Sequence, residues 1–174
     1  RLSSMESGIE CLLADQETVA LSFAQELNLF NSERQELETE MQQCAEEVIA
    51  SCNVSERYTL SLFNEHFNEG VVGLVASRVK DRIHRPVFAF APSESGFLKG
   101  SGRSIPGIHL RDTLDLVARD LGGAIIRFGG HAAAAGLTLK AGAFNDFQHA
   151  FEQIVRENCS RELFERVVYT DGPL

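Results

Sequence analysis

The chain has 174 residues, of which 44% are hydrophobic and 24% charged, a composition that fits one soluble globular domain with an appendage and excludes intrinsic disorder and fibrous repeats. Its formal net charge is −9, no apolar run approaches the roughly 18 residues of a membrane span, and no basic n-region precedes an apolar h-region. Four cysteines (Cys11, Cys44, Cys52 and Cys159) without a C-x-x-C pair are too sparse for a disulfide scaffold, a zinc site or a redox pair. A reducing, cytoplasmic setting with no membrane partner is expected.

A chain that opens on Arg1 and closes on the turn-like Asp171-Gly172-Pro173-Leu174 is expected to be a piece of something longer. Its acidity is uneven. Residues 1–57 hold 3 basic and 12 acidic side chains, whereas residues 58–174 hold 13 of each. Residues 78–140 hold 10 basic against 5 acidic, a local excess that suits a polyanion.

In chain order, Val19, Phe23, Leu27 and Phe30, then Leu37, Met41, Ala45 and Val48, recur at helical spacing from Asp15 to about Ala50 with no Gly or Pro between. The spacing predicts one long helix or two in series. Asp15 suits its start, and Asn31-Ser32 followed by Gln35 resembles a capping box where a second helix could begin. The apolar stripe needs a partner surface.

After Arg57 the pattern shifts to short apolar runs between helical segments. Strands are expected at 58–63, 86–91, 97–103, 124–128 and 136–139. Helices are expected at 71–83, 110–121 and 143–158. The order predicts an α/β (α+β) fold, a mixed sheet flanked by helices and preceded by the long helix.

Three segments could carry chemistry. Gly100-Ser101-Gly102-Arg103-Ser104 follows a strand. Its glycines could let a ligand approach the backbone, its hydroxyls can donate, and Arg103 offers a fork matched to phosphate. The same residues fit an ordinary hairpin with a solvated arginine, and the segment lacks the Gly-Lys-Ser/Thr of a Walker loop. Gly129-Gly130-His131, before four alanines and Gly136, reads either as backbone that something passes closely or as a structural turn. Asn68-Glu69-Gly70-Val71-Val72-Gly73 opens a helix whose free N–H groups could receive an anion, as any helix start could. Arg78 lies two turns further on and could help or merely face solvent. No grouping of Asp and His with metal-ligand spacing occurs, and no Gly-x-Ser-x-Gly. The chain by itself is expected to catalyse nothing.

Four segments in this order carry a resemblance: Gly70-Val71-Val72-Gly73 through Arg78; Arg85-Pro86-Val87; Lys99-Gly100-Ser101-Gly102-Arg103-Ser104-Ile105-Pro106-Gly107; and Arg127-Phe128-Gly129-Gly130-His131 with Ala134-Ala135-Gly136-Leu137-Thr138. They resemble the RecJ family, bacterial single-strand-specific 5′-to-3′ DNA exonucleases of the DHH phosphoesterase superfamily. The resemblance implies residues 1–55 as a helical connector from a catalytic DHH domain, 56–166 as the DHH-associated substrate-binding domain, and 167–174, with Tyr169-Thr170-Asp171-Gly172, as a lead toward an oligonucleotide-binding barrel. It implies single-stranded DNA as partner, with the DHH domain as a second, intramolecular one. Manganese or magnesium would sit in that DHH domain, outside this chain.

Substrate-binding positions implied by the resemblance are Ser101, Gly102, Arg103 and Ser104 on the DNA backbone near the 5′ phosphate, Gly129, Gly130 and His131 facing the metal cleft, with Arg78 and Asn68 as helpers. One departure stands out. The family commonly has Trp-His-Gln before Gly-Val-Val-Gly, and this chain has Phe67-Asn68-Glu69, so position 68 cannot shuttle a proton. Two rival readings are a DHH phosphoesterase acting on short oligonucleotides or cyclic dinucleotides, and an interaction module that binds no nucleic acid.

Overall fold

A computed structural model describes residues 5–51, 53–93, 96–166 and 172. The expected lead at 167–174 therefore lies, Gly172 apart, outside the described residues. Helix α1 (Glu6–Leu13) folds back on helix α2 (Glu17–Ser51) through Ala14–Gln16. Free of Gly and Pro, the 35 residues of α2 span about 50 Å. The helix passes through Asn31 without a restart: Ser32 Oγ donates to Asn28 O, and Asn31 Oδ1 accepts from Arg34, so the side chains that could cap a new helix are engaged within the existing one. Helix α1 is absent from the sequence-based expectation for a physical reason. It buries no residue and so has no core-facing stripe to betray it.

A five-stranded sheet follows, built from β1 (Leu60–Phe63), β2 (Val87–Ser93), β3 (Phe97–Arg103), β4 (Ile125–Gly130) and β5 (Ala134–Lys140) in the order β1-β2-β3-β5-β4. Strands β1 and β2 are parallel and need a crossover, which helix α3 (Val72–Ile83) supplies. The other neighbours are antiparallel. Helix α4 (Leu110–Asp120) leads into β4 and helix α5 (Phe144–Asn158) follows β5. His84 takes the left-handed conformation (φ 50°) and closes α3 by donating its N–H to Lys80 O. Pro86 then bars further helix and opens the strand.

Strand β2 is buried on both faces, and its alternation sorts the core into two layers. Phe88 and Phe90 join Phe147 and Phe151 of α5 and Leu114 and Val117 of α4. Val87, Ala89 and Ala91 join Val72, Val75 and Val79 of α3, with Met41 and Ala45 of α2 behind them. The four phenylalanine rings meet mostly edge to face, at centroid distances of 5.1–5.3 Å between the strand and helix rings. Each buried ring contributes about 1.5–3 kcal/mol, so this layer anchors the sheet.

Glu152 on α5 ties the start of β1 to the helices, accepting from the Tyr58 and Thr59 backbone N–H groups and the Thr59 hydroxyl at 2.7–3.1 Å. Burial alone would raise its carboxyl. The bonds from Tyr58, Arg156 and Thr59 outweigh burial and hold it below the ordinary carboxylate range. Among the described residues no helix is long and apolar enough to cross a membrane.

Candidate nucleic-acid interface

Along β3 the side chains alternate between two faces. Leu98, Gly100 and Gly102 face the phenylalanine layer, and Lys99, Ser101 and Arg103 face the other way. A Cβ on Gly100 would lie 2.5 Å from the Phe90 ring, and one on Gly102 2.4 Å from the Phe88 ring. These glycines make room for core rings, so the packing of Phe90 and Phe88 by itself accounts for glycine at both positions.

Cross-strand pairing carries the pattern over the sheet. Lys99 pairs with Thr138 and Thr138 with Arg127, Ser101 pairs with Gly136 and Gly136 with Gly129, and Arg103 pairs with Ala134. Helix α3 packs on β2 and β3 on this side, and Arg127, Gly129 and Gly136 remain exposed beyond it. The result is an open strip of sheet with α3 as its wall.

Arg103 lies against that wall. A Cβ on Gly73, the second residue of α3, would come within 3.0 Å of Arg103 Nη2 and 3.1 Å of Ser101 Oγ, so glycine there admits both side chains. Arg103 Nη1 donates to Gly102 O at 2.8 Å and to Ser101 Oγ at 3.1 Å. Among the described residues no carboxylate stands within 4.0 Å of the charged nitrogens of Arg103, Lys99 or Arg127. A guanidinium held at the positive end of a helix dipole, bonded only to neutral oxygens, is an arrangement that an anion would relieve.

The hairpin between β4 and β5 splits the two glycines by role. Gly130 has φ 149°, and a Cβ there would meet Ala134 O at 2.4 Å. His131 N donates to Ala134 O at 2.8 Å and closes the turn, leaving the residue exposed at its tip. Gly129 has no atom within 4 Å of a built Cβ and no positive φ. Nothing inside the fold asks for glycine at that position.

Other expected site residues serve the fold. Ser104 is buried, and its hydroxyl donates to Ile108 O at 2.9 Å, which holds the 104–108 turn. Arg78 reaches Glu38 of α2 at 2.7 Å and Gln42 at 2.9 Å and so clamps α2 to α3. Asn68 Oδ1 accepts from Gly70 N at 2.8 Å, and Asn68 O accepts from Val71 and Val72 N, so it shapes the turn that starts α3. Phe67 is buried in the α2/α3 layer. Of the nine expected positions the open strip gathers Ser101, Arg103 and Gly129, with His131 at its end.

Lys99, Arg127, Thr138 and Gly136 belong to the same strip without having been singled out. Period-two alternation in Lys99-x-Ser101-x-Arg103 carries the signal for Lys99. For Arg127 the β4 bulge between Ile125 and Arg127 hides it. No three His, Cys, Asp or Glu side chains gather as metal ligands among the described residues.

Residues 55–157 match the family model of the DHHA1 domain. Over its whole length the chain is 40% identical to a single-stranded-DNA-specific exonuclease RecJ of Haemophilus influenzae, covering 31% of it, and 42% identical to that of Escherichia coli K12, again covering 31%. It thus spans about a third of the length of these curated relatives. A RecJ of Thermus thermophilus solved in complex with Mg2+ superposes with a TM-score of 0.74 at 30% identity, over 87% of this chain and 23% of that one. An exonuclease RecJ bound to manganese superposes equally well, over 89% of this chain and 37% of that one. Family match, identity over the whole length and superposition agree, and the chain belongs to the DHHA1 domain family in the form that RecJ exonucleases carry.

Proposed function

We propose that this chain is the strand-holding part of a RecJ-like single-stranded-DNA exonuclease. The observation that carries the reading is Arg103: a half-buried guanidinium beside the Ser101 hydroxyl and the opening of α3, with no carboxylate partner among the described residues and an open sheet strip beside it. A terminal 5′ phosphate supplies the missing charge and accepts from the free guanidinium nitrogens. The exposed strip with Gly129 and Gly136 then passes the sugar-phosphate backbone at short range, and His131, bonded to the Ala134 that pairs with Arg103, stands at the terminal-phosphate end of the strip.

Among the described residues no cluster of His, Cys, Asp or Glu fits a divalent ion, so no catalytic step is assigned to them. Solved RecJ structures hold Mg2+ or Mn2+, and such an ion, which activates water and stabilises the leaving oxygen, belongs on this reading to a DHH domain outside the chain. Residues 1–55 then connect that domain to the strand-holding one at 56–166.

Fluorescence anisotropy with a 5′-phosphorylated single strand beside an unphosphorylated one tests the reading. The phosphorylated strand should bind more tightly, and Arg103→Ala should remove the difference, a loss of about tenfold to a hundredfold for one charge-assisted contact. Equal affinity for both strands, unchanged in Arg103→Ala, would overturn it. A preference for long strands over short oligonucleotides separates it from the small-substrate alternative.

A further inference from the structure

Next to the Arg103 site, two more cations converge on a single hydroxyl. Lys99 Nζ lies 3.2 Å and Arg127 Nε 3.4 Å from Thr138 Oγ1, the three residues coming from three adjacent strands. Thr138 is only 7% exposed, so the hydroxyl sits in the floor and the two charges stand above it. Neither charge has a carboxylate within 4.0 Å among the described residues. In a protein of net charge −9, carboxylates are plentiful, yet none is placed here. Two like charges brought to one neutral acceptor repel each other, and the arrangement becomes favourable when an anion bridges them.

The space for that anion is present. An open depression of about 290 Å³ lies over the cluster, bordered by Lys99, Arg127, Gly129, Gly136 and Thr138. At Gly129 a Cβ would meet nothing within 4 Å, and at Gly136 only Gly100 O at 3.7 Å, so small residues there keep the floor low without being required by the fold.

Spacing decides which anion. Lys99 is two residues from Ser101 on the same strand, about 7 Å along it, and Thr138 is one strand over, about 5 Å across. The step from the Arg103–Ser101 site to the Thr138 hydroxyl is comparable to that between neighbouring phosphates of an extended single strand. We propose that Lys99, Thr138 and Arg127 form a second phosphate site, which takes an internucleotide phosphodiester next to the terminal phosphate held at Arg103. The inference rests on the strand-holding reading above. It assigns Lys99 and Arg127 to the backbone rather than to bases, so they add affinity and register without sequence preference.

Strands carrying one neutral methylphosphonate linkage at a time, titrated against the chain by anisotropy, test it. Neutralising one linkage close to the 5′ end should weaken binding about tenfold, as loss of one charge-assisted contact does. The double variant Lys99→Gln/Arg127→Gln should bind the native strand more weakly, lose sensitivity to that linkage, and show a salt slope shallower by about 0.7. It should still distinguish a 5′ phosphate from a 5′ hydroxyl, whereas Arg103→Ala should do the reverse. Thermal melting checks that both variants fold, which removal of a repelling charge pair at the surface favours. If no single linkage matters, or if the double variant keeps the linkage effect, the second site is wrong while the Arg103 grip stands. If neither strand binds at low salt, both fall together.

Discussion

Two glycines of the motif region, Gly102 and Gly129, should respond in opposite ways to the same added methyl group. At Gly102 the new Cβ would sit 2.4, 2.5 and 2.7 Å from three carbons of the Phe88 ring. That ring is fully buried and packs edge-on against Phe147 and Phe151 at 5.3 and 5.2 Å, so it cannot swing aside without disturbing both. Overpacking costs about 1–3 kcal/mol, and with three clashing carbons against a locked ring the upper end applies, about 3 kcal/mol. For a chain of this length Gly102→Ala should therefore lower Tm by about 6–12 °C. Gly129→Ala meets no atom within 4 Å and no positive φ, so its stability should stay within about 0.5 kcal/mol of wild type while its affinity for single-stranded DNA falls. Calorimetric melting and anisotropy on the same preparations read both quantities. An unshifted Tm for Gly102→Ala would refute the ring-packing account. Unaltered DNA binding by Gly129→Ala would refute the path over the open strip.

Further outcomes follow from the contacts around that strip. Arg78→Gln breaks the clamp on Glu38, whose side chain is 7% exposed against 57% for the arginine; because the arginine is solvated the cost should be only about 1 kcal/mol, read by urea unfolding, with DNA affinity unchanged. Glu152 is held below the ordinary carboxylate range, so its contribution is present at neutral pH and lost as pH falls through its lowered folded value. Glu152→Gln should therefore be less stable at neutral pH and show a flatter loss of Tm on acidification, the two proteins converging in acid; parallel curves would refute the role given to this carboxylate.

How much of this was legible in the sequence depends on the range of the signal. Strand β3 was read with its observed limits because a proline-glycine turn and alternating residues mark it locally. Helix α2 was legible from its unbroken periodicity, but its continuity through Asn31 depends on which side-chain bonds win, Asn31 to Arg34 or a cap, and local pattern gives no preference between them. The glycines show the limit more sharply. Gly100, Gly102, Gly129 and Gly136 look alike in a string of letters, yet the first two are there for Phe90 and Phe88 while a Cβ on either of the others would meet no side chain. That distinction needs the strand register and the direction of the pleat, both of which are tertiary facts. Likewise Arg78 and Arg103 are both arginines in motif segments, and only the packing of α2 shows that one already has a carboxylate.

Net charge is a poor guide to this surface, and the structure allows the point to be tested. The surplus of acid lies in residues 1–57, mostly along α1 and α2, and α2 joins the hydrophobic core of the sheet domain from Leu37 onward, with Glu38 its first buried residue. Glu17 lies 21 residues before Glu38 along the helix, about 30 Å away. The Debye length is about 30 Å at 0.01 M salt and about 8 Å at 0.15 M, so the repulsion of DNA by the outer helix acts at low salt and is screened at physiological salt. The cations of the strip act at contact distance and persist. A chain begun at Arg34 keeps Glu38, Met41 and Ala45, and with them the buried attachment of α2. It should bind single-stranded DNA more tightly than the 174-residue chain at about 0.01 M salt and equally at about 0.15 M. A truncated chain that binds more weakly at every salt concentration would mean that the outer helix itself holds the strand, and the division between a repelling arm and a gripping sheet would have to be abandoned.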